Sequence, residues 1–418
     1  MRPRALTRAL LLSSAASLAG FALAPQSSAQ PAARSNAPDG APARRVTVAA
    51  SGDLLLHIKV VKAARDQGWD RVFRGLRQLL GPDEIGFANL ETPLVDDVRD
   101  VHTGSPPTLG APPEAAAALA RSGLDVVGCA NNHSWDQAAV GLARTVEALE
   151  AAGVVPVGAH VEEEAAYGHR VVERGGLRVA FLSYTERINR PPGTAEPRAH
   201  VAWTKRRPVE DALRAARAEA DVVVLGVHWS HDFRDRPHAG QRRRARAWVE
   251  AGADLIVGTG PHVLQEVERL PSPRGEAVVA YSLGNLVSNQ GLRWRPRGRV
   301  SPRLHQALRM PETRDGVLLR TRFVVEGERV RVEGLTGTPL WTDNNFWARA
   351  ARETREFDVG VIPLAEAEGL VRTGRWPAIA AALGEAVRLE PVPPAEGADE
   401  AGGADEAGSA GQAGGAER

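Results

Sequence analysis

The sequence predicts an α/β protein in which buried sheets are covered by helices. Of the 418 residues, 43% are hydrophobic and 25% are charged, which is enough apolar content for a large core. Apolar, strand-like runs alternate with helix-like runs, and this alternation is typical of sheets covered on both faces. Lys and Arg total 52 against 51 for Asp and Glu, so a nucleic-acid-binding protein, which usually has a basic excess, is disfavoured.

Hydrophobic spacing places the elements along the chain. Strands are predicted at 46–50, 85–89, 125–129, 154–157, 178–184, 222–227, 254–258 and 277–282. Helices are predicted at about 60–80, 113–122, 136–152, 209–220 and 241–251. After residue 315 the pattern changes to a hairpin, 317–325 with 329–335, and then to helical segments that end near residue 388.

Each element has a local justification. The strands are apolar and mostly β-branched, and most of them lead directly into a polar residue. The helix at 136–152 carries Leu142, Val146 and Leu149 on one face, and Gly153 provides its stop signal. The C-terminal hairpin turns at a Glu-Gly pair, a dipeptide suited to a tight turn.

The two ends of the chain are expected to lie outside the fold. Residues 1–29 combine a basic start, an apolar run and small residues at a cleavage position, which predicts a signal peptide and a secreted or periplasmic protein; an uncleaved anchor is the alternative. Residues 30–44 are expected to form a flexible leader, and 391–418 a disordered tail rich in small and acidic residues. The folded domain is predicted at 45–390.

Polar residues suited to metal binding follow the predicted strands. Cys129 is the one cysteine of the sequence, so any metal site must use imidazoles, carboxylates and amide oxygens. In open α/β sheets, ligands bind where the carboxyl ends of strands converge. A divalent cation, Zn²⁺, Mn²⁺ or Fe, best explains such a group of donors in one crevice. The residues that occupy these positions are Asp53, Glu91, Asn132, His133, His228 and His262.

Each member of this set also has an ordinary structural explanation. Asp53 can cap a turn, Glu91 can mark a helix start, and either strand-terminal histidine can be a hydrogen-bonded core residue. The pair Asn132-His133 is harder to explain in this way, because an amide oxygen and an imidazole are presented together after an apolar strand. The joint pattern is therefore stronger evidence than any single residue.

The motifs together resemble the bacterial capsule-synthesis family known as CapA or PGA-cap, a distant relative of the calcineurin-like metallophosphoesterases. The resemblance covers roughly residues 45–290 and implies a four-layer α/β/β/α sandwich of the metallophosphoesterase type, with a metal crevice along one sheet edge. The matching motifs are Ser51-Gly52-Asp53 through His57, Asn89-Leu90-Glu91-Thr92-Pro93-Leu94, Asn131-Asn132-His133 with Asp136, Val157-Gly158-Ala159, His228-Trp229, Gly258 to Val263 and Tyr281-Ser282-Leu283-Gly284-Asn285.

The resemblance also implies roles for individual residues. The metal-ligand candidates are Asp53, Glu91, Asn132, His228 and His262, with His57 as a weaker one. His133 and Asp136 are the catalytic candidates, and His133 is expected to face the substrate as an acid or electrophile. The Tyr281–Asn285 segment is expected to shape the wall of the site.

Two departures from the family pattern affect this site. The family commonly has His-His-Pro-His where this chain has Thr259-Gly260-Pro261-His262, so the imidazole two positions before His262 is missing. The family commonly has His-Trp-Gly followed two positions later by Glu, whereas this chain has His231-Asp232 after His228-Trp229-Ser230. Three outcomes follow: His231 supplies the missing imidazole, the site holds one metal ion instead of two, or the site is degenerate.

The resemblance implies a role in the biosynthesis of capsule or poly-γ-glutamate. The expected activity is hydrolysis by a metal-activated water, with a phosphoester or an amide as the bond cleaved. A non-catalytic assembly factor that binds polyanion is the alternative. Expected partners are an anionic cell-envelope polymer and a membrane-bound polymer synthase. The arginine-rich loop at 292–309 can steer such a polyanion or can be an ordinary solvated loop.

Overall fold

The computed structural model describes residues 43–97, 106–191 and 199–391. The predicted signal peptide at 1–29, nearly all of the predicted leader and all but the first residue of the predicted tail lie outside these residues. The first strand begins at Arg44, the last residue of the predicted leader. Within the described residues, no helix combines the length and the hydrophobicity required to span a membrane.

Strands and helices alternate as far as residue 287, and long antiparallel strands follow. Strands lie at Arg44–Leu54 (β1), Glu84–Leu90 (β2), Leu124–Gly128 (β3), Val155–Val157 (β4), Ala159–His160 (β5), Arg170–Arg174 (β6), Leu177–Thr185 (β7), His200–Val201 (β8), Val222–His228 (β9), Leu255–Thr259 (β10), Val267–Ser272 (β11), Gly275–Ala280 (β12), Asn285–Val287 (β13), Asp315–Glu326 (β14), Arg329–Asn344 (β15), Val359–Pro363 (β16) and Arg388–Leu389 (β17). Helices lie at Ile58–Gln67 (α1), Trp69–Val72 (α2), Arg74–Leu79 (α3), Glu114–Arg121 (α4), Ala138–Ala151 (α5), Glu163–Tyr167 (α6), Val209–Glu219 (α7), Ala239–Glu250 (α8), Gln306–Arg309 (α9), Phe346–Ala350 (α10) and Gly369–Leu383 (α11), with short 3-10 helices at Pro311–Arg314 and Leu364–Glu366.

The main sheet consists of two halves. In the first half the order is β4-β3-β2-β1-β14-β15, and its first four strands are parallel. In the second half the order is β12-β10-β9-β7-β6, and β12, β10, β9 and β7 are parallel. A single residue pair between β12 and β15, Gly275 with Val330, joins the halves. Each half therefore presents the carboxyl ends of four parallel strands at one edge.

Alternating residues on the strands build two cores. On β9, Val222 and Val224 belong to a core between the two halves, where Phe87 and Phe181 stack with ring centroids 5.8 Å apart. The intervening residues of β9 point to a second core, which contains Trp248 and the apolar faces of the outer helices. Helices therefore cover the outer faces of two packed half-sheets. This arrangement confirms the predicted four-layer α/β/β/α fold.

The structure corrects several predicted element boundaries. The helix predicted at 60–80 is three short helices. Gly68, with a positive φ of 86°, separates the first two, and Phe73, with a φ of −101° and a ψ of 14°, separates the second from the third. The C-terminal hairpin is confirmed and is longer than predicted, whereas the helical stretch predicted to follow it contains β16. The run Val359–Pro363 pairs with β15 in antiparallel register, so tertiary pairing decides its conformation.

Candidate metal centre

The polar residues predicted from strand ends meet at the carboxyl edge of the sheet. Asp53 is the penultimate residue of β1, and Glu91 directly follows β2. His228 is the last residue of β9, and His262 follows β10 by three residues. The first two residues belong to one half of the sheet and the histidines to the other, so the centre lies where the two halves converge.

The four side chains are buried and lie close together. One ligand atom each from Asp53, Glu91 and His228 falls within 4.8 Å of the others. His228 Nδ1 is 3.6 Å from Asp53 Oδ1, and its Nε2 is 3.6 Å from Glu91 Oε1. His262 Nδ1 is 3.3 Å from Asp53 Oδ2 and 3.8 Å from Glu91 Oε2. The prediction that these residues share one crevice agrees with this geometry.

Two buried residues of the centre have acceptor oxygens without a donor. Among the described residues, neither carboxylate oxygen of Glu91 has a hydrogen-bond partner, and the same holds for Asn132 Oδ1. Glu91 is completely buried and Asn132 is nearly so. A buried carboxylate without a partner is strongly unfavourable unless a cation compensates it. The imidazole nitrogens, carboxylate oxygens and amide oxygen present here are therefore suitable ligands for a divalent ion such as Mn²⁺, Zn²⁺ or Fe²⁺.

The charges of the two acids are strongly coupled. Burial, together with the charge of Asp53, raises the pKa of Glu91 well above its usual value. Burial opposes the ionisation of Asp53, but the imidazoles of His228 and His262 outweigh it and hold the pKa of Asp53 below its usual range. Without a metal ion, Asp53 is therefore the charged acid of the pair, and Glu91 tends to hold a proton.

The pKa values of His228 and His262 are also shifted in opposite directions. Burial lowers the pKa of His228. Burial acts in the same direction on His262, but its contact with Asp53 prevails and raises the pKa of His262. His262 therefore keeps its proton to a higher pH than His228 does, and metal binding at this centre is expected to release protons.

His133 and Asp136 form a hydrogen-bonded pair at the border of the centre. Both residues lie in the turn that precedes α5, and His133 Nδ1 is 2.6 Å from Asp136 Oδ2. The other carboxylate oxygen of Asp136 accepts a hydrogen bond from Arg190 at 2.9 Å. These contacts orient the ring so that His133 Nε2 lies 4.0 Å from Glu91 Oε1.

A family model for the bacterial capsule synthesis protein PGA_cap matches residues 47–290. This match spans more than half of the chain and includes all of the residues gathered at the metal centre. The chain belongs to the PGA_cap family.

Three relatives in this group carry related names. A capsule biosynthesis protein CapA of Bacillus anthracis is 29% identical over 256 residues, which cover 59% of this chain and 61% of the relative. A PGA biosynthesis protein CapA of Bacillus subtilis is 27% identical over 250 residues, covering 57% and 62%. A probable polyglutamine synthesis accessory protein of Mycobacterium tuberculosis is 26% identical over 217 residues, covering 49% and 56%. The chain thus spans about three fifths of the length of the first two relatives.

Solved structures with a similar backbone were also found. A hypothetical protein from Thermus thermophilus has a TM-score of 0.41 at 20% identity, covering 70% of this chain and 98% of that one. A 5′-nucleotidase precursor from the same organism has a TM-score of 0.39 at 13% identity, covering 71% and 54%. A calcineurin-like phosphoesterase from Bacillus subtilis has a TM-score of 0.38 at 11% identity, covering 71% and 91%.

The structure explains one departure from the PGA_cap pattern. Gly260, which replaces an expected imidazole, has a φ of 99°, and a Cβ at this position would collide with the carbonyl oxygen of Trp229. Its backbone N–H donates to Asp53 Oδ2 at 3.0 Å. Thr259 contributes a hydroxyl 3.1 Å from His228 Nδ1. Positions 259 and 260 thus contact His228 and Asp53 through a hydroxyl and a backbone N–H, and they supply no imidazole to the centre.

Two other predicted ligands lie apart from the centre. His231 is exposed, and its ring packs edge-on against His238 with centroids 4.6 Å apart. The structure therefore does not bring His231 into the space beside His262. His57 is half-buried at the start of α1, where its Nδ1 accepts a hydrogen bond from the N–H of Asn289 at 3.4 Å. It lies outside the group of three residues that could hold a metal ion.

Sequence reasoning assigned no role to several residues that position the site, although Asn89 belongs to one of the matching motifs. Asn89 Nδ2 donates to Asp53 Oδ1 at 2.7 Å and lies 3.3 Å from His228 Nδ1. Asn189 Nδ2 lies 3.4 Å from His133 Nε2, and Arg187 donates to the side chain of Asn189. The loop that carries the last two residues follows β7 at the same sheet edge. The signal was available, because the strand-end rule that identified Glu91 applies equally to this loop.

Proposed function

We propose that this chain is an exported hydrolase that depends on a divalent metal ion and cleaves an anionic cell-envelope polymer, with poly-γ-glutamate as the first candidate. The observation that carries the proposal is the Glu91 carboxylate, which is completely buried without a hydrogen-bond partner among acidic and imidazole side chains. A structural carboxylate in such a position would have a donor. A cation-binding carboxylate needs its oxygens free.

Three side chains would hold the metal ion. Glu91, His228 and Asp53 offer close ligand atoms, and Asn132 Oδ1 is a further free acceptor. Position 260 is a glycine whose N–H donates to Asp53 Oδ2, so it supplies no imidazole for a second ion, which favours a single ion. When bound, such an ion lowers the pKa of a water molecule and offsets negative charge at the bond to be cleaved.

His133 is placed to deliver a proton to the leaving group. Hydrolysis of an amide adds a hydroxyl to the carbonyl carbon and a hydrogen to the departing nitrogen as the C–N bond breaks. Asp136 holds the Nδ1 side of the ring through its 2.6 Å hydrogen bond, so Nε2 remains the atom that faces the crevice. His133 Nε2 therefore supplies the proton that converts the departing nitrogen into an amine.

Family membership supports the proposed polymer substrate, and the chain's N-terminal residues support the proposed export. The matched relatives are named for capsule, PGA or polyglutamine synthesis. The pattern at 1–29 supports export, which would place the protein beside an envelope polymer and a membrane-bound synthase. Trimming or release of the growing polymer is then the reaction that a hydrolase would contribute.

A non-catalytic assembly factor is the second candidate. It is favoured by Gly260, because a backbone N–H there takes the place of an imidazole that the family commonly has. Such a factor would bind the polymer and leave its length unchanged.

Polymer cleavage distinguishes the two candidates. The purified chain is incubated with poly-γ-glutamate and Mn²⁺, and new amino groups and polymer length are measured. We expect shortening by the wild type, its loss in Glu91→Gln, and a decrease of about 10²- to 10⁴-fold in His133→Ala. His231→Ala is the matched control, since this histidine is exposed and outside the centre, and it should retain activity.

Two results would contradict the proposed cleavage of the polymer. Binding of the polymer without shortening would identify an assembly factor. Turnover of a chromogenic phosphodiester without cleavage of the polymer, lost in Glu91→Gln, would keep the metal centre and reject the amide substrate.

A further inference from the structure

A group of five cationic side chains lies close to the carboxyl end of β1. Within the part of the chain that the structure describes, none of them forms an ion pair, whereas arginines nearby such as Arg71 and Arg121 pair with aspartates. We call this group the basic cluster. Its members are Lys59 and Lys62 on α1, Arg293 and Arg295 in the loop after β13, and Arg349 on α10.

Aromatic rings hold the basic cluster together. Lys59 Nζ lies 5.3 Å from the centroid of Phe346, and the Arg293 guanidinium lies 4.7 Å from the same ring. Arg295 lies 4.4 Å from the centroid of Trp347. Stacking on aromatic faces fixes the planes of the two guanidinium groups without using their N–H donors. Those donors remain available to a ligand.

The region has too few acceptors for its donors. Phe357 is shared by Lys62 at 5.6 Å and Arg349 at 3.6 Å, again through cation–π contacts and not through carboxylates. Among the described residues, Arg349 Nη1 and Trp347 Nε1 are buried without a hydrogen-bond partner. Burial, and then the neighbouring positive charges, lower the pKa of Lys59. An anionic ligand would relieve this imbalance.

The basic cluster is connected to the metal centre through short stretches of chain. Asp53 lies near the end of β1, and α1, which carries both lysines, begins at Ile58. The backbone N–H of Asn289 donates to His57 Nδ1, which ties the start of α1 to the loop that carries the arginines. Asp53 also pairs with Asn285 of β13, the strand that leads into the arginine loop, so the segments that carry the two lysines and the loop arginines of the cluster both begin next to the metal centre.

We propose that the basic cluster binds the carboxylates of an extended polyglutamate-type chain and holds it next to the metal centre, an inference that rests on the proposed function. The planar guanidinium group matches a carboxylate with two parallel hydrogen bonds. A lipid surface fits less well, because the rings of the cluster are covered by cations and are only partly exposed. The large hydrophobic side chains that are exposed among the described residues, Val140, Val161 and Leu370, lie outside the cluster.

The test measures binding separately from cleavage. Fluorescently labelled poly-γ-glutamate is titrated with the full chain in EDTA, and anisotropy reports binding without metal-dependent turnover. We expect the triple variant Lys62→Ala, Arg293→Ala, Arg295→Ala to bind about 10-fold more weakly than the wild type. The control variant is Arg243→Ala, Arg246→Ala, Arg329→Ala, which removes the same charge from exposed sites outside the cluster and should bind within about twofold of the wild type.

The geometry of the arginines is tested by a conservative change. Arg293→Lys with Arg295→Lys keeps the charge and removes the planar donors, and we expect it to weaken binding by a smaller factor than the triple variant. Binding equal to the wild type would overturn the arginine geometry as the recognising feature.

The remaining outcomes separate this inference from the proposed function. Equal losses of polymer affinity in the two triple variants would show that binding depends only on the net charge of the protein, and this would overturn the proposal. Tighter binding to anionic phospholipid vesicles or to single-stranded DNA than to poly-γ-glutamate would overturn it as well. Polymer that is bound through the cluster but never cleaved would overturn the hydrolase and leave this inference standing.

Discussion

One buried acid at the amino edge of the sheet and one at the carboxyl edge differ in how their charge is compensated. Asp254, directly before β10, is 2% exposed and accepts hydrogen bonds from Arg217 at 2.6 Å and from the N–H of Val223 at 2.8 Å. Glu91, directly after β2, is 0% exposed and has no hydrogen-bond partner among the described residues. Two equally buried carboxylates thus have different means of compensation.

Other acids at the amino edge follow the example of Asp254. Each is paired with an arginine, so the charge is balanced within the protein. The pairs are Glu84 with Arg320 at 2.7 Å, Asp125 with Arg174 at 2.8 Å and Asp221 with Arg44 at 3.4 Å. The difference between Asp254 and Glu91 shows that burial alone does not identify a functional acid. A missing partner at the edge where ligands bind is the more informative observation.

The largest expected effect comes from removing the arginine that pairs with Asp254 at the amino edge. Arg217→Met leaves Asp254 buried without its cation, and we expect the free energy of unfolding to fall by about 3–5 kcal/mol. Glu91→Gln in metal-free protein should change it by less than about 1 kcal/mol, since the raised pKa of Glu91 already favours its neutral form. Urea unfolding in EDTA measures both variants.

Arg214→Met is the matched control on the same helix. Arg214 pairs with Asp211 at 2.8 Å, but both side chains are largely exposed, so its loss should cost no more than about 0.5 kcal/mol. A destabilisation of Glu91→Gln as large as that of Arg217→Met would mean that Glu91 has an internal partner, and the contrast between the two edges would then be wrong.

The second effect is stabilisation by metal. Saturating Mn²⁺ at about 100 times its dissociation constant should stabilise the wild type by about 2.7 kcal/mol. Arg217→Met should retain this increment, because its defect lies at the other edge, and Glu91→Gln should lose it. Thermal unfolding with and without Mn²⁺ measures the difference. An equal increment in Glu91→Gln would place the metal elsewhere.

The sequence identified most of this centre because the strand-end rule is a property of topology. Asp53, Glu91, His228 and His262 each follow an apolar run, and parallel strands bring such positions to one edge. The rule cannot tell which way a residue points once the chain has left the strand. His231, three positions beyond His228, therefore seemed equivalent to a ligand, whereas the structure directs it to the surface.

The fold was predictable to a similar extent and for a similar reason. Alternating apolar strands and helices defined the layers, but long-range pairing decided the details. The strand at Val359–Pro363 exists because β15 offers it a hydrogen-bonding partner. The hydrogen bond between Gly260 and Asp53 joins residues more than 200 positions apart, so no local sequence pattern predicts it.

The third effect is the pH dependence that Glu91 contributes at the carboxyl edge. The folded-state pKa of Glu91 lies above its usual 4.5, so the metal-free protein is relatively stabilised below this pH and loses that stability as the pH rises through the folded pKa. The slope should reach at most about 1.4 kcal/mol per pH unit for this one proton. Unfolding in EDTA between pH 4.5 and about pH 8 measures it.

Comparison of the wild type with Glu91→Gln isolates the contribution of Glu91 to this curve. Asp53 has a lowered pKa and stays ionised across this range, so its contribution is constant, whereas the raised pKa of His262 acts in the same direction as Glu91 at the upper end. Glu91→Gln should therefore flatten the lower part of the curve. An unchanged slope in that variant would assign the titration to another group.

The smallest expected effect concerns the histidines outside the centre. His231→Ala and His57→Ala should change the affinity for Mn²⁺ by less than about twofold, because neither belongs to the group that can hold the ion. His228→Ala is the positive comparison and should abolish binding at the same concentrations. Isothermal titration calorimetry provides these affinities, and a large loss in His231→Ala would show that its loop turns inward on metal binding.

Anomalous diffraction from crystals soaked in Mn²⁺ tests the central claim most directly. We expect one strong manganese peak in contact with Glu91 and His228, and with Asp53 at its border. The absence of a peak at Glu91 in crystals that bind manganese at other positions, with the carboxylate hydrogen-bonded to a protein donor instead, would contradict this claim.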